Sequence, residues 1–268
     1  MKNISRLTML TLTALIAFLA FSEENPKPAL YLIGDSTVKN GSGKGADSLW
    51  GWGDMISQYF DTSRISIHNH ALGGRNTRTF RYHDRWNKIL ENVNEGDYVL
   101  IQFGHNDGAP VVSRAYGSIR GNGPDTLFVV HDSTFFLKSE TVHTYGWYLR
   151  QYINEAREKG ATPIILSMVP RNMWEEDKVI RAHASYGKWA REAAEQEEAL
   201  FIDLNEITAQ KYEALGPEKV KLMYFPGDHS HTNREGAVDN AESVVLGLLT
   251  ARECDLKNYL NERGKSLE

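Results

Sequence analysis

Residues 29 to 38 read ALYLIGDSTV. Leu30 to Ile33 are apolar or aromatic at successive positions, the pattern of a strand covered on both faces. The run stops abruptly at Gly34-Asp35-Ser36-Thr37, small and polar residues that favour turns. The tetrapeptide leaves two readings open. Ser36 either punctuates the end of a strand or is a reactive hydroxyl that the strand holds in place, and the rest of the chain has to decide.

Four further segments have strand character: 65–71 (ISIHNHA), 97–103 (DYVLIQF), 162–169 (TPIILSMV) and 199–204 (ALFIDL). Helical patterns separate them. Residues 142–160 place Tyr145, Tyr148, Leu149, Tyr152, Ile153 and Ala156 on one stripe and stop at Gly160. Residues 178–198 form a second helical pattern before the last strand, and 237–251 a third after it. Strands alternating with helices predict a parallel sheet in a layered α/β domain. Residues 108–139 fit neither period. Loops of that length in a compact domain are usually functional or disordered, and this one starts at a strand end.

The first 22 residues carry Lys2 and Arg6, then the apolar run 7–21, then Ala20-Phe21-Ser22. This is the pattern of a secretory signal cleaved after Ser22, so residues 1–22 are expected to be removed and the product exported to the periplasm or beyond. The run is short for a bilayer span, and Glu23-Glu24 follow at once, so stable membrane insertion is not expected. Residues 23–268 read as one domain, without repeat or linker, and a monomer is expected. Losing Lys2 and Arg6 leaves 28 of the 30 basic residues against 35 acidic, a net charge of about −7. That balance argues against nucleic acid as a partner. One cysteine, Cys254, excludes an internal disulfide, so stability must come from the core.

In an open parallel sheet, ligands bind beyond the carboxyl ends of the strands. The first three strands run into Gly34-Asp35-Ser36, Leu72-Gly73-Gly74-Arg75-Asn76 and Gly104-His105-Asn106-Asp107. An acyl-transfer site needs a nucleophile, a base, a group that orients the base, and donors for an oxyanion. Among nine histidines, the informative one lies in 224–237, YFPGDHSHTNREGA. Thr232 and Glu235 form a capping-box pattern, which puts Asp228 and His231 on the loop before a helix, three residues apart and able to meet. Solvated loop residues would show the same spacing, so this stretch alone leaves the matter open.

Taken together, Gly34-Asp35-Ser36, Gly74, Gly104-His105-Asn106-Asp107 and Asp228 to His231 follow the order of the four blocks of the SGNH (GDSL-like) hydrolases. The stretches GDSTV, GWGD, GGRNTRTF, FGHNDG and FPGDHSHT resemble more closely the rhamnogalacturonan acetylesterases. The resemblance implies a three-layer α/β/α fold around a five-stranded parallel sheet of flavodoxin-like order 2-1-3-4-5. It implies Ser36 as nucleophile, His231 as base and Asp228 as its orienting carboxylate. The oxyanion would meet the backbone N–H of Ser36, the backbone N–H of Gly74 and the side-chain amide of Asn106. Glycine at 74 is expected because a side chain there would crowd the oxyanion. The implied reaction is removal of O-acetyl groups from an acetylated polysaccharide, pectin with a rhamnogalacturonan backbone, without a cofactor.

Other features carry less. Residues 40–48 are glycine-rich, but Gly45 follows Lys44 and the P-loop pattern fails. His105, Asp107, Asp228, His229 and His231 lack the helical spacing of a zincin, so no metal is expected. Trp50, Trp52 and Trp174 are core residues or sugar platforms; Trp174, after the fourth strand, is the best placed for sugar. Arg75, Arg78, Arg81 and Arg85 form a solvated basic face or a reader of galacturonate carboxylates, with Arg75, Arg78 and His105 the expected substrate contacts. Acetylated xylan, lipid or thioester substrates, and an inactive carbohydrate-binding protein, are the alternatives; retention of Ser36, Asn106, Asp228 and His231 together argues against the last.

Overall fold

The computed structural model describes residues 27–39, 49–112, 115–132 and 138–267. The proposed signal segment and the glycine-rich loop at 40–48 lie outside the described residues.

Five strands form a parallel sheet: β1 (Ala29–Gly34), β2 (Ser66–Asn69), β3 (Tyr98–Gln102), β6 (Thr162–Leu166) and β9 (Leu200–Ile202), in the order β2-β1-β3-β6-β9. Counting only sheet strands, this is 2-1-3-4-5, as the resemblance implied. The registers place Leu32 opposite Asn69 and Leu100, and Ile165 opposite Phe201. Side-chain alternation along the strands explains the three layers. Leu30, Leu32, Leu100, Ile164 and Leu166 pack on Ala237, Ala241, Val244 and Leu248 of helix α6 (Arg234–Thr250). Tyr31, Ile33, Val99, Ile101 and Ile165 point the other way, onto Tyr152, Ile153 and Ala156 of α2 (Tyr145–Glu158) and Ala190, Ala193 and Ala194 of α3 (Tyr186–Gln196). Every residue of β1 and β3 is buried.

The chain also forms elements that its periodicity does not announce. A short helix α1 (Arg85–Leu90) follows a 3-10 segment at 79–84; α4 (Leu204–Leu215) and α5 (Pro217–Tyr224) fill the stretch between β9 and α6, and α7 (Glu262–Lys265) lies near the carboxyl end. The proposed helical pattern at 178–198 divides. Residues Lys178–Val179 form β8, paired with β7 (Trp174–Glu175), and the helix begins only at Tyr186. The cap of α6 also differs by one residue from the expected Thr232–Glu235 box. Asn233 is the N-cap, accepting from the Gly236 N–H at 3.0 Å, whereas the Thr232 hydroxyl donates to the Trp50 carbonyl at 3.0 Å. With the Trp50 N–H to Thr232 carbonyl bond at 2.8 Å, this ties the segment before α6 to the chain that follows β1.

The segment beginning at residue 108 contains an antiparallel pair, β4 (Thr126–Val130) and β5 (Ser139–His143), in which Val129 and Val142 are buried and Phe128 and Val130 exposed. Arg78 anchors it. Far from forming a solvated face or reading substrate, Arg78 is 1% exposed. Its guanidinium makes a two-pronged ion pair with Glu140 and donates to the carbonyls of Val111 at 3.0 Å and Gly117 at 2.8 Å. Tyr82 donates to the same carboxylate at 2.7 Å, and His131 lies 2.8 Å from it. Removing one partner of such a pair strands the other charge. Arg78→Met should therefore cost about 3–5 kcal/mol, which for a domain of this size lowers the melting temperature by roughly 10 °C. Thermal unfolding followed by circular dichroism checks this; an unchanged midpoint would contradict the anchoring role.

Candidate active site

Strand β1 ends where nothing larger than glycine fits: a Cβ on Gly34 would lie 2.5 Å from Val38 Cγ2 and 2.6 Å from the Gln102 carbonyl. The chain then turns. Asp35 is fully buried, and its Oδ1 accepts from the Thr37 N–H at 2.9 Å and the Thr37 hydroxyl at 2.8 Å. Gln102, the last residue of β3, donates to the Thr37 hydroxyl oxygen at 2.7 Å and accepts from the Trp52 indole at 2.8 Å. This buried relay fixes the turn and leaves Ser36, between Asp35 and Thr37, only partly covered. Trp52, at 1% exposure, belongs to the core and not to a sugar platform. The relay through Thr37, Gln102 and Trp52 escaped the sequence reading, because its members are spread over 65 residues with no local pattern.

Ser36 and His231, 195 positions apart in sequence, meet at 2.8 Å between Oγ and Nε2. His231 Nδ1 lies 2.8 Å from Asp228 Oδ2. The second oxygen, Asp228 Oδ1, accepts from the backbone N–H groups of Ser230 at 2.6 Å and His231 at 2.8 Å. Burial alone would push the Asp228 carboxyl up, but the bonds from the His231 ring and from these two N–H groups hold it at about 2. An ionised carboxylate can only accept. The neutral imidazole therefore carries its proton on Nδ1, facing Asp228, and offers the Nε2 lone pair to the Ser36 hydroxyl. The local reason is the tight loop of 226–233: it is hydrogen-bonded to Asp228 on itself, to Trp50 through Thr232, and to the loop after β6 through the Asn172 N–H and His229 carbonyl at 2.8 Å.

The loop after β2 comes alongside. A Cβ on Gly73 would stand 3.8 Å from Ser36 Cβ. Gly74 follows with φ of +71° and open space where a side chain would be. The left-handed backbone is by itself a reason for glycine at this position. Asn106, after β3, donates to the Arg75 carbonyl at 2.9 Å. That bond fixes the amide and leaves its second N–H for another acceptor. Beneath lies Asp107, fully buried, accepting from Thr77 and from the Ser118 hydroxyl at 2.9 Å, with burial pushing its carboxyl up to about 6.

The remaining candidates divide. His105 has both ring nitrogens buried, and burial pulls its pKa down, so the ring is neutral. Arg75 is half-buried, with a guanidinium Nε that meets no partner. Trp174 is half-buried against the small core around Tyr212 and Phe225, its indole spent on Asn172 at 2.6 Å. Among the described residues, no three His, Cys, Asp or Glu side chains converge as a metal site, and no helix is long and apolar enough to cross a membrane.

The resemblance seen in the sequence extends to known proteins. The chain is 35% identical to the rhamnogalacturonan acetylesterase of Emericella nidulans, over 82% of this chain and 84% of that one. It is 30% identical to the rhamnogalacturonan acetylesterase RhgT of Bacillus subtilis, over 82% and 88%. In fold it is similar to the crystal structure of the Bacillus subtilis protein YxiM (TM-score 0.67, 27% identity), covering 83% of this chain and 56% of that one. It is also similar to the acetylxylan esterase Axe2 of Geobacillus stearothermophilus (TM-score 0.53, 19% identity), covering 82% and 93%. Residues 32–237 match the profile of one family of ester hydrolases, and the chain belongs to it: the GDSL-like lipase/acylhydrolase family.

Proposed function

We propose that this enzyme is an exported carbohydrate esterase that removes acetyl groups from the rhamnogalacturonan backbone of pectin through an acyl-enzyme on Ser36. The observation that carries the reading is the line Ser36–His231–Asp228, closed by two contacts of 2.8 Å. His231 Nε2 takes the Ser36 proton as Oγ bonds to the acetyl carbonyl carbon. Electrons move onto the carbonyl oxygen, which the N–H groups of Ser36, Gly74 and Asn106 receive. The carbonyl reforms as the sugar oxygen leaves, accepting the proton from His231. Water then repeats the sequence, with His231 as base, to release acetate and restore Ser36. Asp228 holds the imidazole in its tautomer and balances the imidazolium. Every group in this scheme comes from one chain, so a monomer suffices, and no step calls for a cofactor.

Export rests on the apolar run 7–21 behind Lys2 and Arg6. The pectin substrate rests on the relatives' printed activities. With Arg78 committed to Glu140, charge recognition falls to other cationic groups near the site, such as Arg75. The test is acetate release from acetylated rhamnogalacturonan and acetylated xylan at matched ester content. The expected kcat/KM is higher on the first by about tenfold, the preference that one additional charge-assisted hydrogen bond supplies. Equal rates would remove the pectin assignment and leave the esterase.

A further inference from the structure

Beside the catalytic groups, on the β6 side, lies a cavity of about 290 Å³ that the scheme above does not use. Its walls come from the loop after β3, the loop after β6 and the start of α3. It is joined to the catalytic loops at two points: His105 immediately precedes Asn106, and Asn172, next to Arg171, is bonded to the His229 carbonyl. Met173 and Ile180, 42% and 47% exposed, stand at its rim and give it an apolar edge open to solvent.

The polar atoms of this cavity are unusual in what they lack. Arg171 Nε and the Tyr186 hydroxyl are buried without a hydrogen-bond partner, Tyr186 being only 9% exposed as a residue. The His105 ring nitrogens also have no partner in good geometry, although the Val169 backbone lies close. Such groups are costly to leave unsatisfied, so three on one wall call for an occupant. The other polar residues are already committed. Arg181 is paired with Glu206 and Glu213, and the Asn205 amide is bonded to the Ala182 N–H and the Met168 carbonyl, both at 2.9 Å. Arg171, held at the wall by its bond to the His105 carbonyl at 3.1 Å, therefore supplies the available positive charge. The wall offers one cation, one hydroxyl, a neutral imidazole and an apolar edge. That set suits a ring with hydroxyl groups and a single carboxylate.

We propose that this cavity is a sugar subsite that takes a uronic acid residue of the acetylated chain, with the carboxylate on Arg171 and ring hydroxyls on Tyr186 and His105. The assignment rests on the pectin reading above and names residues for it. The test compares kcat/KM on an acetylated rhamnogalacturonan oligosaccharide and on its carboxyl-reduced counterpart. In Arg171→Gln the ratio of acidic to reduced substrate should fall about tenfold, the worth of one charge-assisted hydrogen bond. Arg171→Lys should restore part of it. Because Arg171 also supports the His105 carbonyl, Tyr186→Phe provides a second reading: KM should rise on both oligosaccharides with kcat largely kept. A ratio unchanged in Arg171→Gln, or an unchanged KM in Tyr186→Phe, overturns the subsite. Should the unsubstituted protein cleave an aryl acetate but neither oligosaccharide, the pectin reading falls and the subsite with it; the preceding outcomes remove the subsite alone.

Discussion

Ser36→Ala is expected to lower acetate release by a factor on the order of 10⁴–10⁶, the range seen when an activated nucleophile is removed from a triad. The chain should remain folded. The Ser36 side chain makes one hydrogen bond, to a histidine that is itself 28% exposed, and stands outside the buried relay of Asp35, Thr37, Gln102 and Trp52. Substitutions of that kind usually shift stability by no more than about 0.5 kcal/mol. Purified variant protein, assayed by acetate release and by thermal unfolding, separates the two effects. Turnover near that of the unsubstituted protein would remove Ser36 from the chemistry.

Asp228→Asn should be nearly as damaging, at roughly 10⁴-fold in kcat, for a reason of protons and not of shape. An asparagine fits the same space, but its amide N–H would face His231 Nδ1 and turn it into an acceptor. The imidazole proton would then sit on Nε2, pointing at Ser36, and the base would have no lone pair to offer. A loss of less than about tenfold would contradict the tautomer argument. Acid alone does not imitate this variant. The Asp228 carboxyl is held at about 2, below its ordinary value. The stability it contributes is present above that ordinary value and lost only as pH falls through 2; with its side chain 45% exposed, the contribution is small.

The sheet was legible because its strands carry their burial in their composition. Leu30 to Ile33, Val99 to Ile101 and Ile164 to Leu166 are apolar on both faces, and both faces are covered. The strand-end positions followed from that, since a parallel sheet delivers residues such as Ser36, Gly74 and Asn106 to one edge. The spacing of Asp228 and His231 showed only that the two could meet; the pairing of His231 with Ser36, 195 positions away, was legible through the resemblance. Arg78 was misread because its meaning lies 62 residues away, at Glu140, and nothing local distinguishes a buried arginine from a solvated one. The β4–β5 pair was missed because each strand buries little more than one valine, too few for an alternating signal. Helix α4 did carry a signal that went unused: Asp203 accepts from the Glu206 N–H at 3.2 Å, an N-cap written as Asp-x-x-Glu, and Gly216-Pro217 ends the run.

The central claim is that Ser36 becomes covalently acylated, activated by His231. Incubation with a serine-directed phosphonate, followed by mass spectrometry of the digested protein, tests it at the atom concerned. The claim predicts irreversible loss of esterase activity in step with one adduct per chain, located on the peptide that holds Ser36 and absent from Ser36→Ala. Full activity after prolonged exposure, or inactivation with the adduct on another residue, would contradict it.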